Sequence, residues 1–274
     1  MRLSSVILSS AAGLAAVCSG AAIRRTPPQP QLVPRAVPFF KYDVPQSTEV
    51  TMDEDGDAQS QESNEPAAVI PGSYEQFVVL GGNSWCTGSL VGPRLVATAR
   101  HCVKPDGVYT FSPAYYAGNR FPQVSVTHVL HIDGKKKNGT CGYSDDWAIF
   151  VIDRDLSATN GYLGVKAFTE DMLEKEMWWS YGYPQDRNRT GQLPFVNHNF
   201  KIWRPKGCDP EHSPLLHSAD SSPGQSGSAI WLEPDSQGRR YQYGVHVASS
   251  KNNGIMSTGP AWLNAIVAAR KSYP

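Results

Sequence analysis

Net charge is the first thing this sequence lacks: 25 Lys and Arg are balanced by 25 Asp and Glu over 274 residues. Without a basic excess it has no electrostatic footprint for nucleic acid, and Lys135-Lys136-Lys137 reads as a solvated loop rather than a phosphate patch. There is no CxxC pair and no histidine spacing suited to a metal, so neither a zinc site nor any other cofactor is expected. Helical periodicity is also scarce. No long apolar run is present either, because the N-terminal candidate, 6–17, is too short and alanine-rich to span a bilayer.

That N-terminal run is instead expected to be a secretory signal over residues 1–22. Arg2 supplies the positive end, Val6 to Val17 the apolar core, and Gly20-Ala21-Ala22 the small residues of a cleavage site. Export implies a secreted, extracellular protein without membrane association once the signal is removed. Residues 23–68 are rich in Pro, Gln, Ser and acid, with the run Asp53-Glu54-Asp55-Gly56-Asp57. Such a segment buries too little apolar surface to offset its chain entropy, so disorder is expected, as a linker or a removable propeptide. The remaining 206 residues, 69–274, suffice for one large domain or two small fused ones, and carry 20 basic and 17 acidic side chains.

Cys18 would leave with the signal, and Cys86, Cys102, Cys141 and Cys208 would remain. An even count in an exported protein favours two disulfides with three possible connectivities; Cys86 with Cys102 closes a short loop ending beside His101 and leaves Cys141 for Cys208. Asn138 and Asn188 begin glycosylation sequons, usable in a eukaryotic secretory route.

From Phe77 onward, short apolar segments alternate with Gly, Pro and Asn: 77–80, 86–91, 95–99, 124–131, 147–152, 177–182, 229–232 and 241–247. This pattern predicts an all-β sandwich or barrel. One helix is expected, after Pro260, where Trp262, Leu263, Ile266, Val267 and Arg270 recur at three- and four-residue spacing. Trp178-Trp179 and Tyr115-Tyr116 read as packing. His128, His131, His198, His212 and His217 read as surface or core residues.

Two segments carry chemistry when taken together. Gly224-Gln225-Ser226-Gly227-Ser228 offers Ser226 as a nucleophile in a tight turn, where the N–H groups of Gly224 and Ser226 can converge on a developing oxyanion. Thr98-Ala99-Arg100-His101-Cys102 offers His101 as the base that takes the serine proton. Asp146, directly before the apolar run Trp147-Ala148-Ile149-Phe150, is the favoured orienting acid over Asp145, since an acid at the mouth of a buried strand needs a partner. An α/β-hydrolase elbow is excluded: Ser228 stands where that motif has glycine, and too little chain follows to supply its acid and histidine.

These motifs, with Cys86-Thr87-Gly88-Ser89-Leu90 before them, resemble the chymotrypsin-fold serine peptidases. Gly-Ser after the nucleophile, Gly182-Tyr183-Pro184 and Gly244-Val245-His246 are similar to the glutamyl endopeptidases of bacilli and staphylococci. The resemblance covers roughly 69–270. It implies two six-stranded antiparallel β-barrels with the site between them, a monomer acting on protein or peptide substrates, and cleavage after glutamate. His246, Ser221 and the mature N-terminal amine, here on Val69, would grip the substrate carboxylate, with His246 charged. Asp220, six residues before Ser226, supports the alternative of trypsin-like cleavage after Arg or Lys. Arg100 beside the base and Gln225 beside the nucleophile depart from the family pattern. Gln225 cannot form the ion pair with a freed N-terminus, so activation must work differently. A secreted pseudopeptidase that binds without cutting is the alternative of another class.

Overall fold

Apolar runs become the inner strands of the fold. The computed structural model describes residues 84–274 apart from 105–106, 133–138, 187–190, 192 and 251, together with the backbone of 39–41 and 75–79. The expected signal, most of the 23–68 segment, Val69, Asn138 and Asn188 therefore lie outside the described residues.

The first sheet contains β1 (Phe39–Lys41), β2 (Glu75–Val79), β3 (Trp85–Gly92), β4 (Leu95–Ala99), β5 (Thr110–Ser112), β6 (Val124–His131) and β7 (Trp147–Ile152). Its order is β1-β6-β5-β2-β3-β4-β7, and a further β6–β7 pairing makes β2–β7 a closed antiparallel barrel. β1 adds to it in parallel, Phe39 lying opposite Val129. β4 and β7 are buried along their whole length because each is flanked on both sides and covered on both faces. An uninterrupted apolar sequence suits such a strand better than strict alternation.

The second sheet follows a short helix, α1 (Ser157–Asn160). It contains β8 (Gly164–Val165), β9 (Trp178–Gly182), β10 (Phe195–Phe200), β11 (Ile202–Trp203), β12 (Leu215–His217), β13 (Ala229–Leu232), β14 (Tyr241–Ser249) and β15 (Gly254–Ser257). The order is β10-β9-β13-β14-β15-β12-β11, with β8 parallel to β14. β10 and β11 are one stretch of chain broken at Lys201, so this sheet also returns on itself. The expected pair of six-stranded barrels is present. A register shift between His198 and Phe200, with Asn199 at φ 56°, bends that stretch so that it serves both edges.

Trp178, Phe200, Ile202, Leu215, Ile230, Tyr243 and Met256 fill the second barrel. A larger core runs from the first barrel to α2 (Pro260–Ser272), which buries Trp262, Leu263, Ala265, Ile266 and Ala269 on one face. Polar bonds cross between the barrels as well. Ser89 Oγ donates to Gln242 Oε1 at 2.8 Å, and Ser257 Oγ to Ser144 O at 2.8 Å. Both disulfides form, Cys86–Cys102 within the first barrel and Cys141–Cys208 between a first-barrel turn and a second-barrel loop. Among the described residues no helix is long and apolar enough to cross a membrane.

Candidate active site

At the end of β4 the chain turns into a single helical turn, Arg100–Cys102, that points His101 outward while the Cys86–Cys102 disulfide holds the turn to β3. The β4–β7 register ends with Ala99 opposite Trp147, which places Arg100 and His101 alongside Asp146. The backbone N–H of Arg100 donates to Asp146 O at 3.1 Å. Asp146 then grips His101 twice. The His101 backbone N–H donates to Oδ1 at 2.8 Å, and ring Nδ1 lies 2.8 Å from Oδ2. The other ring nitrogen, Nε2, lies 2.8 Å from Ser226 Oγ. The carboxylate that meets the His101 ring is that of Asp146. One imidazole bridges a carboxylate from its own barrel and a hydroxyl from the other.

With Nδ1–H held by the carboxylate, Nε2 is left as an acceptor facing the serine. In that tautomer His101 can take the hydroxyl proton and return it to a leaving group. The side chain of Asp146 is 13% exposed and that of His101 45%, so the acid is shielded while the base remains reachable.

Ser226 sits on a turn whose carbonyls are all engaged. Ser222 O accepts from Gln225 N (3.2 Å), Pro223 O from Gln185 N (2.8 Å), Gln225 O from Ser228 N (2.9 Å) and Ser226 O from Thr87 N (2.9 Å). Gly224 O accepts from Thr87 Oγ1 at 2.9 Å. The N–H groups of Gly227 and Ser222 are also taken, by His246 O and Gln225 Oε1. Gly224 N–H and Ser226 N–H remain without a hydrogen-bond partner among the described residues. Two glycines make the turn possible. Gly224 (φ 96°) passes against Tyr183 O and Trp85 Nε1, and Gly227 (φ 89°) against Thr87 O and Thr98 Oγ1, where a Cβ would collide.

His246 is 4% exposed on β14, and its backbone brackets the same turn: its N–H donates to Ser228 O at 2.8 Å and its carbonyl accepts from Gly227 N at 2.7 Å. Its ring Nδ1 lies 2.9 Å from Nε2 of His217, a buried residue of β12. Burial first, and His101 nearby second, push its pKa down to about 4. Burial, aided by His246, pushes His217 well below the ordinary imidazole value. The expectation of a charged His246 is thus corrected: a desolvated ring among other imidazoles stays neutral near pH 7. It can meet a carboxylate only as a neutral N–H donor.

Ser221 and Asp220 sit on the segment that leads into the Ser226 turn. Ser221 Oγ is 2.6 Å from Ser249 Oγ on β14. Asp220 is exposed, its carbonyl accepts from Asn197 Nδ2 at 2.9 Å, and with Asp186, Ser222 and Gln225 it lines a cavity of about 120 Å³. Ser221 lines the same cavity. His217 and Ser249 were not picked out by sequence. His217 meets His246 through strand pairing and Ser249 meets Ser221 from the end of β14, and no local signal marks either.

Ligand atoms of Cys86, His101 and Cys102 lie within 4.8 Å of one another. The two sulfurs are bonded to each other, so they present no thiolate, and the group does not fit a metal ion.

The chain is similar to known proteases. The glutamyl endopeptidase of Bacillus licheniformis is 27% identical over 190 residues, covering 63% of this chain and 56% of that protein, little more than half its length. The protease Anisep of Arthrobacter nicotinovorans superposes with a TM-score of 0.59 at 18% identity, over 74% of this chain and 98% of that one. A Glu endopeptidase crystallised with MPD gives 0.58 at 21% identity, over 76% and 96%. The family model described as Trypsin matches residues 63–261, most of the sequence and both barrels, and the chain belongs to the trypsin family of serine peptidases.

Proposed function

We propose that the protein is an exported serine endopeptidase working through His101, Asp146 and Ser226, with Gly224 N–H and Ser226 N–H as the oxyanion donors. The observation that carries this reading is the His101 ring, 2.8 Å from Asp146 Oδ2 on one side and 2.8 Å from Ser226 Oγ on the other. In the forward step Ser226 Oγ attacks the peptide carbonyl as its proton passes to His101 Nε2. The carbonyl oxygen becomes an anion held by the two free N–H groups. His101, its positive charge stabilised by Asp146, then gives the proton to the departing amine, and water repeats the sequence on the acyl-enzyme. Residues 1–22 act as the export signal and 23–68 as a segment removed from the mature protein.

For the residue before the cut, we favour glutamate. The likeness to a glutamyl endopeptidase supports it, as does a receptor of hydroxyls and a neutral imidazole, which can hydrogen-bond a carboxylate. Cleavage after Arg or Lys is the second reading, favoured by the two carboxylates, Asp186 and Asp220, on the walls of one cavity. Matched peptides ending in Glu, Asp, Arg, Lys or Phe before the scissile bond decide between them. Cleavage after Glu that is lost in His246→Ala supports the first; cleavage after Arg or Lys that is lost in Asp220→Ala supports the second. Ser226→Ala or His101→Ala should lower kcat by a factor on the order of 10⁶. Wild-type protein that neither turns over any of these peptides nor reacts with a fluorophosphonate overturns the enzymatic reading in favour of a binding module.

A further inference from the structure

The oxyanion turn belongs to the second barrel, yet the side chain that fixes its backbone comes from the first. Thr87, on β3 and fully buried, touches the turn at two places. Its Oγ1 donates to Gly224 O at 2.9 Å, and its backbone N–H donates to Ser226 O at 2.9 Å. The same hydroxyl accepts from Tyr183 N at 3.1 Å, so both of its roles are filled and its rotamer is locked. Thr98 Oγ1, also fully buried, donates to Thr87 O at 2.8 Å and holds the residue from behind.

A trans peptide points its C=O and the following N–H in opposite directions, so tying a carbonyl orients the next N–H. The peptide bearing Ser226 N–H joins residues 225 and 226. The planes on either side of it, 224–225 and 226–227, are both tied to Thr87. Tilting either plane swings the Ser226 donor, and the first also sets the angle between the two donors. Oxyanion donors act by being in place before charge develops, which makes that angle a catalytic quantity.

We propose that Thr87 is a positioning residue that preorganises the oxyanion donors across the barrel junction. This rests on the reading of Ser226 as nucleophile. Valine keeps the shape and β-branching of threonine and removes only the hydroxyl, while serine keeps the hydroxyl. Thr87→Val should lower kcat about 10- to 100-fold with KM changed less than about twofold, since substrate binds before charge develops. The rate of Ser226 phosphonylation by a fluorophosphonate, whose phosphoryl oxygen enters the same site, should fall by a similar factor whatever the peptide preference. Thr87→Ser should restore both. All rates are normalised to the folded fraction of each variant, so lost stability alone does not register.

Normalised kcat and phosphonylation rates in Thr87→Val equal to wild type would overturn the proposal. So would a kcat loss that Thr87→Ser, folded, fails to recover, since that would place the effect in packing. Wild-type protein inert to peptide and fluorophosphonate alike would instead remove the reading of Ser226 on which the proposal stands.

Discussion

His217 and His246 are two buried imidazoles sharing one hydrogen bond at 2.9 Å, and His217 Nδ1 has no hydrogen-bond partner among the described residues. A neutral pair satisfies that bond with one proton, whereas protonating either ring puts a charge in a site that cannot solvate it. Between pH 6.5 and about 4 the unfolded chain binds protons that the folded one refuses, so stability falls with pH through that window and is level above it. His246 alone should cost on the order of 3 kcal/mol between pH 7 and pH 4. Thermal melts at pH 4, 5, 6 and 7 should show this decline, and His246→Gln should flatten its slope. A wild-type profile without a decline above pH 4 would mean that the pair is hydrated. Sequence pointed to His246 by its motif and to Asp146 by the apolar run behind it, but it could not reach His217. That residue lies 29 positions from His246 and meets it only because β12 and β14 both pair with β15.

Among the elements, α2 does more than bury an apolar face against the larger core. Arg270 in its last turn donates through Nε to Val91 O at 2.7 Å and through Nη2 to Leu163 O at 3.1 Å, while its guanidinium lies over the Tyr162 ring. The helix is thereby fastened to β3, the strand carrying Thr87. Arg270→Met keeps the aliphatic stem and loses two charge-assisted bonds, worth about 2 kcal/mol together after packing is retained. Calorimetry should show Tm lower by roughly 4–8 °C, with kcat of the folded fraction unchanged; an unaltered Tm would make the two bonds incidental. This helix was legible from its three- and four-residue spacing. So were β4, β6, β7 and β13, whose apolar runs match the observed bounds. β5, β8, β11 and β12 are too short to show a period. β10, Phe-Val-Asn-His-Asn-Phe, is polar at its centre and exists through its pairing with β9 rather than through its own pattern.

At the scale of the molecule, the candidate site is a junction. His101 and Asp146 come from one barrel and Ser226 from the other, so any separation of the barrels breaks the 2.8 Å contact between His101 and Ser226. The Cys141–Cys208 disulfide limits that separation, spanning 67 residues and anchoring the turn that leads into Asp146. Loop-closure entropy assigns it about 4 kcal/mol, against about 3 for the Cys86–Cys102 loop. Replacing Cys141 and Cys208 together by Ala should lower unfolding free energy by about that amount in urea titrations, with activity lost at lower urea than secondary structure. Coincident loss of both signals would mean the barrels do not part before unfolding. The cysteine count and the short loop between Cys86 and Cys102 already pointed to both pairings, and the structure has them.

Gln225 closes the Ser226 turn from within: its Oε1 accepts Ser222 N–H, and its own N–H returns to Ser222 O. Both partners of this closure lie within residues 222–225. We therefore expect trimming of the N-terminal segment to change access or what the pocket accepts rather than this closure. A fusion partner left in front of the first barrel should leave the reactive serine armed and only its clientele altered.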